Sequence, residues 1–318
     1  MSASVEFLNV RKRYGTHPVL KGVSFNVQRG EIVGLLGPNG CGKTTTLRLI
    51  AGFLSPDGGE VRVCGQPLGS GSLAARRHIG YLPEKPPLYD ALRVTDYLDF
   101  VAAAKGLSGT ARRRAVDQAM QDYALTDVTR KIIGTLSKGY RQRVGLAQAT
   151  LAGPEVLLLD EATNGLDALQ MVEARALIRA GSQGRAVVFC SHLMQEVAAL
   201  CDRVLVLHDG RIVELGDAAP TPRFELRLDG VDGAGALALV QAVPGVHDAE
   251  VRTEGETVLV RCSGTRLEVA DALARAVLVE ARLLSLAVHR DSLEERFIAA
   301  MRREQRVHAA PRTDGVTT

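Results

Sequence analysis

The stretch "GPNGCGKTT" at residues 37–45 fits the pattern G-x-x-x-x-G-K-[ST], and it limits the possible folds more than any other part of the chain. An apolar run, "GEIVGLLG" (30–37), enters it, and "KTTTLRLIAGFL", with helical spacing, leaves it. A strand–loop–helix junction of this kind is a cradle for phosphate. Its glycines let backbone N–H groups turn inward, Lys43 reaches the β and γ oxygens, and the Thr44 hydroxyl is placed to ligate Mg²⁺. The expected nucleotide contacts are therefore Gly37, Pro38, Asn39, Gly40, Cys41, Gly42, Lys43, Thr44 and Thr45. Cys41 reads first as a small space-filling residue. A sharper expectation comes from its place near a helix N-terminus, which would lower its pKa and make it reactive.

The surrounding pattern fits such a junction. "EVLLLDE" (155–161), "RAVVFCSH" (185–192) and "RVLVLHDG" (203–210) read as short buried strands, with a helix around 168–180. Buried strands alternating with helices predict a parallel α/β sheet. Residues 5–10, 19–27 and 60–64 read as further strands, the first two separated by a turn around Gly15. From about 84 to 151 the spacing turns helical, which predicts a helical insertion.

A chain of 318 residues has room for two domains. "DAAPTPR" (217–223), with two prolines, is an expected linker. Beyond it, residues 224–306 alternate as β-α-β-β-α-β, the split βαβ or ferredoxin-like plan, with a hairpin across Glu254-Gly255. The apolar face Leu267, Ala270, Leu273, Ala274, Val277 and Leu278 predicts the second helix of that set, and a last helix is expected from about Ser292. Residues 307–318 read as a disordered tail.

A net charge of +3 is too small to argue for a nucleic-acid partner. No apolar run approaches the roughly 18 residues of a membrane span. The five cysteines include no CxxC pair and read as reduced thiols, not as a disulfide frame or a zinc site.

Two more strand ends carry chemistry. "VLLLDE" (156–161) ends in Asp160, which can hold Mg²⁺, and Glu161, placed to polarise an attacking water. "VVFCSH" ends in His192, at the sheet edge where ligands of open α/β sheets bind, and there it would donate to the γ-phosphate or keep the water and Glu161 in register. Further along, "TLSKGYRQRVGLAQA" from Thr135 sets Ser137 and Gly139 at a helix N-terminus suited to an anion. It lies far from the phosphate loop in sequence.

Together these pieces resemble the ATP-binding subunit of an ABC transporter, over about residues 4–216. "LSKGY" (136–140) is similar to that family's LSGGQ signature, with Lys138 and Tyr140 as departures. The resemblance implies a head-to-tail homodimer in which Ser137 and Gly139 face the nucleotide held by the other copy. It also makes Tyr14 the adenine-stacking aromatic and Asp167 the end of a loop, "NGLD" (164–167), that crosses the dimer interface. Ala162 stands where the family commonly has proline. Glu84, in "GYLPE" (80–84), stands where the family usually has glutamine, the residue linking Mg²⁺ and the attacking water to the membrane partner.

Glu84 with "LSKGY" resembles the subgroup serving ABC-2 exporter-type permeases, as does "LEERFIAAM" (293–301). The expected protein is thus an ATPase peripheral to the cytoplasmic face of the membrane. It would drive export through a separate permease docked on the insertion around "KPPLYDALRVTDYL". The alternative is a soluble ABC ATPase acting on nucleic acid or ribosomes.

Overall fold

The computed structural model describes residues 3–69, 73–213, 222–264, 268–289 and 297. Most of the expected linker, the helix expected from Ser292, the segment 293–301 apart from Phe297, and the tail 307–318 lie outside the described residues. The chain forms two compact units, Met1–Glu214 and Leu215–Thr318.

The first unit opens with β1 (Val5–Tyr14), β2 (His17–Val27), β3 (Ile32–Leu36), α1 (Lys43–Ile50), β4 (Gly58–Val63), β5 (Gln66–Pro67), α2 (Leu73–Arg76) and β6 (Ile79–Leu82). A helical stretch follows: α3 (Val94–Ala104), α4 (Gly109–Asp122) and α5 (Lys138–Thr150), with 3₁₀ turns at Thr126–Val128 and Ile133–Thr135. The unit closes with β7 (Val156–Asp160), α6 (Ala168–Gly181), β8 (Ala186–Ser191), α7 (Met194–Leu200), β9 (Arg203–His208) and β10 (Arg211–Val213).

Two sheets result. The antiparallel one has the order β2-β1-β4-β5; the other has the order β10-β9-β3-β8-β7-β6 and is parallel from β9 to β6. Every residue of β3, β7 and β8 is buried, which is why these segments read as unbroken apolar runs rather than as alternations. Each Val or Leu buried there is worth about 1.5–3 kcal/mol against exposure, so the three strands form the rigid floor of the unit. The parallel register brings Leu36, Asp160 and Ser191 to one end of the sheet. The segments that carry Lys43, Glu161 and His192 follow directly.

Several boundaries differ from the sequence reading. The first hairpin runs on to Tyr14 and starts back at His17. The helix after the phosphate loop stops at Ile50, because Gly52 at φ 70° takes the left-handed conformation that ends helices. Cys64 is not in its strand but in the turn after it. β6 and α7 were not anticipated, being too short to show a period.

The second unit contains β11 (Arg223–Asp229), α8 (Gly233–Gln241), β12 (Val246–Glu254), β13 (Thr257–Gly264), α9 (Val269–Val277) and β14 (Arg282–His289). The sheet order β12-β13-β11-β14, antiparallel throughout, is that of the split βαβ plan. Alternation along β11 buries Phe224, Leu226 and Leu228 and leaves Arg223, Glu225 and Arg227 on the other face. Ala236 and Val240 of α8 and Leu273 and Val277 of α9 complete that core. Arg223, expected at the end of the linker, already belongs to the sheet. Leu278, expected on the buried face, is 62% exposed because α9 stops at Val277.

Candidate nucleotide site

The phosphate loop is shaped by close approach. A Cβ placed on Gly37 would meet the Leu207 carbonyl oxygen of β9 at 2.3 Å, so only glycine lets the loop leave the sheet there. Gly42 caps α1 at φ 113°, a conformation other residues rarely adopt. Lys43 is buried; its ammonium donates to the carbonyls of Gly37 at 2.7 Å and Pro38 at 3.2 Å, folding back over its own loop. It also lies 4.0 Å from Glu161 Oε1.

Opposite the loop stand the two carboxylates. Asp160 is 2% exposed, and its Oδ1 is buried with no hydrogen-bond partner. Burial pushes its carboxyl above the ordinary value; the Thr44 hydroxyl offsets this in part, while the charges of Glu161 and Glu84 add to it. A buried carboxylate oxygen left bare beside a threonine hydroxyl and two further acids is a donor set that suits a hard divalent cation such as Mg²⁺.

Glu161 follows β7 at φ 49°, left-handed backbone that costs a non-glycine residue about 1–2 kcal/mol. Its N–H donates to the Cys190 carbonyl at 2.9 Å, which holds the turn in place. This twist carries the side chain to His192, whose Nδ1 lies 2.9 Å from Glu161 Oε2. Strain kept in this way at a strand end is typical of a working site.

A cavity of about 420 Å³ opens over these groups. Its walls include Tyr14, Asn39, Gly40, Gly42, Lys43, Thr44, Thr45, Glu84, Glu161 and His192, which the structure thus brings together. Gly37, Pro38, Cys41 and Asp160 lie outside the lining. Val19 and Asn164 line it too and were missed. Asn164 was within reach of the sequence, since it opens "NGLD" three residues after Glu161. Val19 had no signal, because its place depends on how the β1–β2 hairpin folds over the loop.

Ser137, Gly139 and Asp167 are not in this cavity. Ser137 caps α5, its hydroxyl accepting from the Tyr140 N–H at 3.4 Å. Asp167 caps α6 in the same way, from Gln170 at 2.9 Å. The two helices are tied by Arg143 of α5, whose guanidinium donates to the Glu173 carboxylate of α6 at 2.6 Å.

The surroundings of Cys41 run against the reactive reading. Burial pushes its thiol up rather than down, and the Lys43 charge and loop N–H groups only partly offset that. Cys41 belongs to the same buried core as Leu35, Leu47 and Leu207, as a space-filling residue does.

Residues 20–164 match the ABC transporter family. The chain is 37% identical over 227 residues to the Nod factor export ATP-binding protein I of Burkholderia orbicola, covering 70% of this chain and 73% of that protein. It is 31% identical over 307 residues to the uncharacterized ABC transporter ATP-binding protein YhcH of Bacillus subtilis, covering 94% and 96%. Among solved structures, cbiO1 of Clostridium perfringens, part of the ABC transporter complex cbiONQ, superposes with a TM-score of 0.63 at 28% identity, over 67% of this chain and 88% of that one. The phosphate loop, the bare Asp160 oxygen and the Glu161–His192 pair lie within a cassette of this kind, and the chain belongs to the ABC transporter family as an ATP-binding subunit.

Proposed function

We propose that the protein hydrolyses Mg²⁺-ATP in a head-to-tail homodimer and drives export through a separate ABC-2 type permease at the cytoplasmic face of the membrane. The observation that carries this reading is the Glu161–His192 pair at 2.9 Å, set beside Lys43 in one cavity. Thr44, Asp160 and Glu84 would hold Mg²⁺, which when bound neutralises charge on the phosphates.

In this mechanism Lys43 leaves the Gly37 and Pro38 carbonyls for the phosphate oxygens, and Tyr14 stacks on the base. Glu161 takes a proton from water as it attacks the γ-phosphorus, while His192 keeps the carboxylate aimed. Loss of the γ-phosphate removes what holds the two copies together, and that opening is the movement a permease can use.

Ser137 and Gly139 have no place in the cavity of their own chain, which supports their serving the other copy's nucleotide; Asp167 would sit at the same interface. Export is argued from the Burkholderia relative, a Nod factor export ATP-binding protein. The exposed aromatics Tyr89 and Phe100, with ring centroids 5.5 Å apart on the helical stretch, supply an apolar face for the permease.

Mixing two inactive variants tests the shared site. Lys43→Ala spoils the loop and Ser137→Arg spoils the signature. A head-to-tail pair of one each contains one intact site, so mixing restores ATP turnover. No recovery on mixing, with both variants folded and dimerising, would overturn the arrangement.

A further inference from the structure

Away from the nucleotide cavity, Cys64, His78 and Glu155 bring a thiol sulfur, an imidazole nitrogen and a carboxylate oxygen within 4.8 Å of one another. We propose that this triad is a binding site for a divalent transition metal of the zinc class, pinning the antiparallel sheet to the parallel one. Thiolate, imidazole and carboxylate together form a donor set preferred by Zn²⁺ and its neighbours, whereas Mg²⁺ and Ca²⁺ favour oxygen alone.

Each ligand is delivered by separate local structure. Cys64 and Gly65 form the two-residue loop of the β4–β5 hairpin, with Val63 paired to Gln66. Both have positive φ, 49° and 75°, a turn whose first position favours Asn, Asp or Gly. A cysteine there works against the backbone preference, and the Cys64 N–H is tied to the Ser4 carbonyl at 2.8 Å. His78 stands before β6 and Glu155 before β7, and the His78 carbonyl accepts from the N–H groups of Glu155 at 3.0 Å and Val156 at 2.9 Å.

His78 Nδ1 and Glu155 Oε1 already lie 2.8 Å apart, so two of the three donors face one another before any metal arrives. All three residues are neither fully buried nor dry: His78 is 33% and Glu155 45% exposed at the side chain, which leaves an entry path and room for a water as fourth ligand. A cysteine ligates as the thiolate, so metal binding at Cys64 would release a proton.

The site lies at the opposite end of β7 from Asp160, about 16 Å away at roughly 3.3 Å per residue. Spacing along the chain gave no signal for it, since the ligands are separated by 14 and 77 residues.

Co²⁺ is the probe. Added without nucleotide to the metal-stripped full chain, it should give a thiolate-to-cobalt charge-transfer band and tetrahedral visible bands. Cys64→Ser should abolish the charge-transfer band, and His78→Ala should weaken Co²⁺ binding at least about tenfold, as loss of a ligand does. Zn²⁺ should raise the Tm of the parent chain but not of Cys64→Ser, which retains ATP binding as evidence of its fold. No thiolate band, or a band that survives in Cys64→Ser, would overturn the site; so would binding undiminished in His78→Ala.

Discussion

His192 Nδ1 lies 2.9 Å from Glu161 Oε2, and the two residues follow the ends of neighbouring parallel strands. The contact spans 31 positions of sequence and is made only because β7 and β8 pair in register and Glu161 turns at positive φ. It ties the candidate base to the residue that aims it.

Glu161→Gln keeps the shape of the side chain but cannot take a proton. It should bind ATP like the parent, lose turnover by about 10²–10⁴-fold, and accumulate as a nucleotide-bound dimer. ATPase assays with light scattering measure both effects, and near-normal turnover would remove Glu161 from the role of base.

His192→Ala removes the partner of Glu161 without touching the phosphate loop. Its kcat should drop by about a hundredfold with little change in KM, since an interaction used in the transition state is lost. His192→Gln, which can still donate to Glu161, should recover part of the loss. A rise in KM at constant kcat would instead make His192 a binding residue.

Asp160→Asn should stabilise the nucleotide-free protein and abolish the Mg²⁺ dependence of ATP binding. Burial raises the Asp160 carboxyl above 3.8, so the folded chain holds that proton more tightly than the unfolded chain does. The resulting stability is fully present below 3.8 and is lost as pH rises through the folded value. The Tm advantage of the asparagine variant should therefore be small in acid and grow toward neutrality, reflecting a bare buried acceptor worth about 1–3 kcal/mol. A Tm difference independent of pH would contradict this.

Gly37→Ala should fold but bind ATP poorly, because the added methyl collides with the Leu207 carbonyl and pushes the loop out of place. Equilibrium binding of a fluorescent nucleotide reports it; parent-like affinity would mean the loop shifts freely.

Maleimide should label Cys41 slowly at neutral pH, since burial keeps the thiol protonated. Labelling as fast as that of a free thiol would restore the reactive reading.

What the sequence determined by itself was whatever depends on short-range pattern. The glycine spacing of the phosphate loop, the apolar runs of β3, β7 and β8, and the β-α-β-β-α-β alternation of the second unit are periodic or contiguous, and each matches the structure. Tertiary structure alone decided which separate segments meet. It set His192 against Glu161, folded the β1–β2 hairpin so that Val19 faces the cavity, buried Cys41, and gathered Cys64, His78 and Glu155 from three separate connections. The physical reason is that strand register and packing fix long-range distances, and these involve residues whose separation along the chain has no period to read.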